Sequence, residues 1–416
     1  MAGKQEEAGV SLNAVSYRVG DGDFSGLEAI DKQCSELYPD QLNPFQATTL
    51  VKFWMGGSDP LDYISMYSND GDDSKGIPCH WHYVTYGFSD LYGDGRVHQT
   101  SGPGQPSGFG FELTFRLKKE ANEGAAPMWP AQLMNRLAKY VFQTGNVLHT
   151  GDHIPWNKSL NGKSASKIRH MLITDDQDLP PLSTKFGTVE FRQVVGVMDD
   201  EVKAAQRWRG AAVIDLIASL KRVGRCHITD MKRQKSVFDV KPDMTLLVKE
   251  GIERDGSSLG HVTALCSWCK PGESVVAPSG SQKSKAMSNS HPSPAEVEKL
   301  DSAQLRFDAE AAELLPLVVK ARLKKGRFFI FHSGTNHTIH LIPSGMKDEN
   351  VVVTLEDPLV AQGSYLQVYC SRDLLDHMCT DLEKLNKLDQ VQHFPVEFKF
   401  ADPSIVLQVY KRGELP

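Results

Sequence analysis

The sequence predicts an α+β protein: two α+β domains with mixed or antiparallel sheets, joined by a flexible linker. Three observations carry this. Strand-like and helix-like segments follow one another without the regular βαβ repeat of a doubly wound fold. The 416 residues exceed one ordinary core, at roughly 100–200 residues per domain. A stretch rich in Ser, Pro, Lys and Gly and nearly free of aromatics interrupts the pattern after Cys269. The expected organisation is a loose tail over 1–22, a first domain over 23–269, a linker over 270–302 and a second domain over 303–416.

The polar, Gly-rich tail gives way to Ser25 and Glu28, whose S-x-x-E spacing predicts a capping box. Leu27, Ile30, Leu37 and Tyr38 follow on one face of a helix that Pro39 ends. "HWHYVTYGF" (80–88) reads as a strand, and "GFGFELTFRLK" (108–118) as the clearest one in the chain. Phe109, Phe111, Leu113, Phe115 and Leu117 alternate with Gly110, Glu112, Thr114, Arg116 and Lys118, which predicts one buried and one wet face. "MWPAQLMNRLAKYVFQTGN" predicts a helix with Pro130 in its first turn and Gly145 at its C-cap, and Leu133, Leu137, Tyr140 and Val141 share a stripe. "TVEFRQVVGV" reads as a strand, "DDEVKAAQRW" and "AAVIDLIASLKRVG" as two helices. Beyond the linker, "HTIHLIP", "ENVVVTLE", "SYLQVYC" and "IVLQVYK" read as strands. "SRDLLDHMCTDLEKLNKL" reads as a helix burying Leu374, Leu375, Met378, Leu382 and Leu385.

Net charge is −6 and pI near 6.2, which argues against a broad nucleic-acid surface. Seven cysteines, odd in number and spread out, do not form a disulfide framework and fit a reducing compartment. "MAGKQEEAGV" has no apolar signal-peptide core, and no apolar run approaches the ~20 residues of a membrane span. These features predict a cytosolic or nuclear protein with no membrane contact and no cofactor.

Several motifs could carry chemistry. His80 and His82 are two apart on a strand, so they point the same way, a workable geometry for one metal ion with Asp152 as a further ligand. The competing expectation is that Trp81 and Tyr83 face the core while the histidines bond to neighbours or water at the surface. "CSWC" (266–269) lacks the second pair of a zinc site and the following helix of a redox site, so it reads as two ordinary thiols. "GPGQPSGFGFE" leads into a strand, not the helix N-terminus that a phosphate cradle needs. "KARLKKGR" (320–327) is either a solvated basic edge or a patch for an acidic partner or nuclear import. His332, His337 and His340 have no carboxylate in step with them. No nucleophile motif is found. Composition and motifs thus predict a two-domain α+β protein that is not an enzyme.

"VKFWMGG", "DPLDYISMYSN", "HWHYVTYGFSDLYGDGRVH", "GFGFELTFRLK", "AKYVFQ" and "GDHIPW" occur in the order and spacing of the Suppressor of fused family. The resemblance runs from Leu37 to Trp268 and resumes from Leu305, anchored by "LRFDAEAAELLPLVVKARL". It implies a negative regulator of Hedgehog signalling, without catalysis, cytoplasmic and nuclear, acting as a corepressor. Its partner is a Gli/Ci-type zinc-finger transcription factor, with a Fused-type kinase as a further one. A Ser-Tyr-Gly-His-Leu-type segment of the factor would add as a β-strand in the cleft between the two domains. The implied contact residues are Tyr140, Leu148, Asp152, Val262, Ala264, Glu310 and Leu314. Leu148 stands where the family has an aromatic, and the linker is shorter than in other members. Read without the resemblance, Val262, Ala264 and Cys266 form one side of an ordinary core strand, "HVTALC", and Leu314 is core. Two other function classes remain: an immunity-type binding module, which would need no second domain, and a metal-dependent enzyme using His80, His82 and Asp152.

Overall fold

The computed structural model describes residues 23–121, 123–220, 225–272, 297–334, 337–390 and 393–416. The expected tail and most of the expected linker, 273–296, lie outside them.

The first helix, α1 (Ser25–Leu37), buries Leu27, Ile30 and Cys34. Its start departs from the capping box: Ser25 is already helical, and Asp23 Oδ1 accepts the Ser25 N–H at 3.0 Å. The strands β1 (Phe45–Thr48), β2 (Tyr63–Asn69), β3 (His80–Tyr86), β4 (Pro106–Lys118), β5 (His153–Ile154), β6 (His170–Asp175), β7 (Leu182–Thr184) and β8 (Gly187–Val197) build one mixed sheet. Its order is β1-β2-β3-β4-β8-β6-β5, with β7 paired to β8. Only the β4–β8 pairing is parallel among these.

Helix α2 (Trp129–Thr144) opens with Pro130 and closes on Gly145 in the left-handed region, as its sequence predicts. It packs Leu133, Leu137 and Val141 with Tyr83, Phe115 and Ile173 on one face of the sheet. Tyr140 departs from that stripe and is 45% exposed. The opposite face packs against α1 through Val84, Tyr86 and Phe191. A sheet covered on both sides has no wet face. Glu112, Thr114 and Arg116, expected in water, are therefore buried, and the alternation in β4 separates an apolar face from a polar one that is equally dry. Helices α3 (Asp199–Arg207), α4 (Gly210–Ser219) and the short α5 (Val237–Val240) complete this unit.

The chain divides into two compact units within α6 (Met244–Asp255), the second beginning at Leu247. The expected boundary at 269 is thus displaced, for a physical reason. β9 (His261–Thr263) and β10 (Cys266–Cys269) precede the Ser/Pro-rich stretch, yet their hydrogen-bonding partners lie beyond it. The remaining strands are β11 (Val297–Lys299), β12 (Ser302–Asp308), β13 (Phe329–His332), β14 (Thr338–Pro343), β15 (Leu359–Gln362), β16 (Tyr365–Cys370), β17 (Val396–Phe400) and β18 (Ser404–Tyr410). They make a four-stranded sheet, β10-β12-β18-β17, and a six-stranded one, β11-β15-β16-β14-β13-β9. The two share a core with α8 (Leu315–Ala321) and α9 (Arg372–Asp381), and α7 (Ala309–Ala312) lies between β12 and α8. The Ser/Pro-rich stretch is therefore an insertion within the second unit, and its last residues form β11 and enter β12. "ENVVVTLE" is not a strand: Val352 N donates to Gln367 Oε1 at 2.9 Å, and pairing falls instead to β15, after Pro358.

Candidate functional site

The open edge of the second unit comes from β9. It lies parallel to β13, with Gly260 O accepting from Ile330 N at 3.1 Å and Ala264 N donating to His332 O at 3.0 Å. Alternation then turns the backbone N–H and C=O of His261 and Thr263 away from β13. β9 ends its sheet, and among the described residues no strand pairs on its other side. His261 and Thr263 are exposed; Val262 and Ala264 are half-buried and pack on the second unit's core.

"HVTALC" is not one strand. Leu265 is 42% exposed, its carbonyl accepts from Asp308 N at 3.1 Å, and Cys266 then enters the other sheet opposite Phe307. Cys266 consequently leaves the Val262/Ala264 row and is buried. The same Leu265–Asp308 bond ties the end of β9 to the start of α7, where Asp308 Oδ1 caps Ala311 N at 2.9 Å. Glu310 and Leu314 thus lie on the segment adjoining β9. Glu310 is exposed, its carboxylate 3.7 Å from Arg412 Nε, and Leu314 is half-buried rather than core.

In the first unit, the loop after α2 hangs on β6. Gly151 N donates to Ile173 O at 2.8 Å, and Ile173 N to Asp152 O at 2.9 Å. Gly151 has φ +95, a conformation that strains residues with a Cβ, so glycine there lets the chain turn into Asp152 and the edge strand β5. Asp152 Oδ2 accepts from His149 N at 2.7 Å, and the side chain stays 45% exposed. A carboxylate held by one backbone donor and facing solvent retains capacity for a cationic ligand. Tyr140 also faces out, its hydroxyl accepting from Asn146 Nδ2 at 2.7 Å. Leu148 differs from the others: it is 3% exposed and sits inside the first unit's core.

His80 and His82 share a face of β3 as expected, with Trp81 and Tyr83 on the other, but that face is buried, not at the surface. All four of their ring nitrogens have protein partners. His82 Nδ1 lies 2.8 Å from the Tyr38 hydroxyl and Nε2 3.1 Å from Asp176 Oδ2. His80 Nδ1 lies 2.9 Å from Pro78 O and Nε2 3.3 Å from Arg116 Nη1. These partners fit neutral rings, one nitrogen donating and one accepting. Among the described residues no group of three His, Cys, Asp or Glu is arranged to hold a metal ion. Asp152 is engaged elsewhere, so the geometry does not support a metal enzyme built on these three residues.

The centre of this network was not legible in the sequence. Asp176 accepts from Arg116 Nη2 at 2.7 Å, Thr114 Oγ1 at 2.7 Å and the backbone N–H groups of Asp178 and Leu179. Burial pushes its carboxyl up, but His82, Arg116 and the other donors outweigh that and hold it well below the usual carboxylate range. Glu112 is a second buried carboxylate, accepting from Thr85, Gly87, Phe88 and Ser89. Burial still pushes it up to about 7.

The buried imidazoles make stability pH-dependent. Burial pushes His80 down to about 3, and also lowers His82, His98, His227, His337 and His340. Depressed folded-state values mean the unfolded chain takes protons that the folded chain refuses, so stability falls as pH drops through about 6.5. His80 alone costs about 1.4 kcal/mol at pH 5.5. Glu112 and Asp31, both pushed up by burial, oppose this, but six imidazoles outweigh two carboxyls. The melting temperature should fall between pH 7.5 and 5.5; a flat or rising profile in calorimetry would show that the imidazoles do not govern it.

The other motifs are absorbed by structure. All four residues of "CSWC" are buried in β10, and burial pushes the Cys266 thiol up to about 12. In "KARLKKGR", Lys320 pairs with Glu383 at 2.7 Å and Lys324 with Asp376 at 2.6 Å, while Arg322 donates to the Ser257 and Phe328 carbonyls. His332 bonds Thr338 and His340 bonds Tyr365.

The fold and these edges define a two-unit α+β protein whose second unit leaves a strand open for pairing. Residues 57–234 match the family model described as Suppressor of fused protein, and residues 273–409 the one described as Suppressor of Fused Gli/Ci N terminal binding domain. The mouse and human Suppressor of fused homologs are 38% and 37% identical, over 92% of this chain and 91% of theirs. The crystal structure of Drosophila Suppressor of Fused aligns with a TM-score of 0.78 at 33% identity, over 93% of this chain and 97% of that one. A chain of the Sufu-Fu complex aligns over 54% of this chain and 96% of its own, with a TM-score of 0.52 and 46% identity. The chain belongs to the Suppressor of fused family, a family of regulatory binding proteins. No helix among the described residues is long and apolar enough to cross a membrane.

Proposed function

We propose that this protein is a negative regulator of Hedgehog signalling. It binds a Gli/Ci-type zinc-finger transcription factor, holds it in the cytoplasm and limits it in the nucleus. A Ser-Tyr-Gly-His-Leu-type segment of the factor adds as a strand to β9 and is clamped by residues of both units. Main-chain bonds to His261 and Thr263 supply affinity, and side chains flanking the edge supply specificity. Tyr140 and Asp152 act from the first unit, Val262, Ala264, Glu310 and Leu314 from the second, and Leu148 shapes the floor from within the core. The open edge of β9 is the observation that carries this reading; family membership and the description of the second family model support it. The Sufu-Fu complex of a relative supports a Fused-type kinase as a second partner. Calorimetric titration of the full chain with the Gli/Ci-type peptide tests it: saturable one-to-one binding, absent for a scrambled peptide, is the expected result. Equal binding of both peptides would contradict the reading.

A further inference from the structure

A cavity of about 920 Å³ opens in the first unit beside the start of α2, the loop over 156–169 and the start of α3. None of the residues assigned above to the peptide site lines it. Trp129 and Trp156, both half-buried, form part of its wall, and Arg136, Lys158, Lys167 and Arg169 surround it. Three acids also line it, and none of them is ion-paired with these cations. Asp199 Oδ1 lies 2.6 Å from His170 Nε2, Asp200 Oδ1 accepts from Glu201 N at 3.0 Å, and Asp239 Oδ2 accepts from Ser236 N at 3.0 Å. The cations form no ion pairs among the described residues. Lys167 Nζ and Arg169 Nη2 reach only carbonyl oxygens, of Gln234 at 3.1 Å and Asn157 at 2.9 Å. Arg136 and Lys158 have no ion-pair partner among the described residues.

Four cations without an ion-pair partner, against three carboxylates, leave this cavity with a net positive lining in a chain of net charge −6. We infer that this cavity is a second binding site, for a phosphorylated segment of a partner protein. A phosphate carries close to two charges and three strong acceptor oxygens, and matches the guanidinium forks of Arg136 and Arg169. The cavity is far larger than a free phosphate needs and is of the size that encloses a drug-sized ligand. The tryptophan rings offer apolar faces to residues flanking the phosphate. A peptide uses all of these features, whereas a lone ion uses only the charge.

The test presents the full chain to an array of degenerate peptides with a fixed phosphoserine and to the same array with serine. Selected pairs are then measured in solution by tryptophan fluorescence. Binding should require the phosphate. Arg136→Glu and Arg169→Glu, both at exposed side chains, should each weaken it at least about tenfold. Their melting curves and their titration with the Gli/Ci-type peptide should be unchanged, which keeps this inference separate from the function proposed above. Phosphate-independent binding, or variants that bind like the wild type, would overturn it. So would inorganic phosphate competing at the concentration of the best peptide, which would mark a plain anion site.

Discussion

Asp176→Ala should cost the first unit about 3–5 kcal/mol, because it leaves the buried Arg116 guanidinium without its main counter-charge. Arg116 and Asp176 are both essentially excluded from water, their side chains 1% and 0% exposed. Asp178 is the other carboxylate on Arg116, at 2.8 Å, but it is 43% exposed and only partly replaces the lost charge. The same substitution removes the acceptors of Thr114, His82 and two backbone N–H groups that hold the 176–179 turn. For a unit of this size the loss corresponds to a fall in melting temperature of roughly 6–20 °C. A double variant, Arg116→Met with Asp176→Leu, should lose less than Asp176→Ala alone, since it leaves no unpaired charge in the core. A fall below about 1 kcal/mol for Asp176→Ala in denaturant unfolding would mean that water reaches Arg116.

Asp152→Arg should leave the fold largely intact and abolish binding of the Gli/Ci-type peptide. The side chain is 45% exposed; it accepts from His149 N, a turn bond worth about 1 kcal/mol, and lies 3.9 Å from the exposed His149 Nδ1. In the proposed complex the carboxylate receives the peptide's histidine and is desolvated by it. An arginine there sets like charge against that histidine when it is protonated and removes the acceptor when it is not. The expected loss is about 2–5 kcal/mol, or roughly 30- to several-thousand-fold in affinity. The Asp–His pair favours imidazolium, so wild-type binding should strengthen as pH falls through the raised pKa of the peptide's histidine. Calorimetry of both proteins, each with its melting curve, separates the possibilities. Near-normal binding by Asp152→Arg would remove Asp152 from the site; lost binding with a collapsed melting temperature would make it a structural aspartate.

How much of this was legible depended on whether a feature is local. The strand over 108–118 is readable because period-two alternation is written in its own residues, and α2 because its proline, stripe and glycine all lie within one segment. The alternation in β4 shows which residues share a face but not what covers that face. Glu112, Thr114 and Arg116 therefore read as solvent-facing, although segments distant in sequence enclose them: the 87–89 turn around Glu112 and the 176–179 turn around Thr114 and Arg116. The break at Leu265 is likewise set by a bond to Asp308, more than forty residues away, so "HVTALC" reads as one strand. Composition marked a stretch after Cys269 that is rich in Ser, Pro and Lys and poor in aromatics. It could not tell that β9 and β10 cross it to pair with β13 and β12. Of the residues implied by family resemblance, Tyr140 and Glu310 are exposed, Asp152, Val262, Ala264 and Leu314 are half-buried, and Leu148 is internal. The resemblance names positions, and the packing decides which of them are exposed and which are buried.

Strand addition makes one demand that no other mode of binding shares: the outward amides of β9 must gain hydrogen-bond partners. Amide hydrogen exchange on the full chain, with and without saturating Gli/Ci-type peptide, measures this directly. Strong new protection is expected at His261 and Thr263, while Ala264, already bonded to His332, should change little. Saturable peptide binding with no change in exchange at His261 and Thr263 would contradict it.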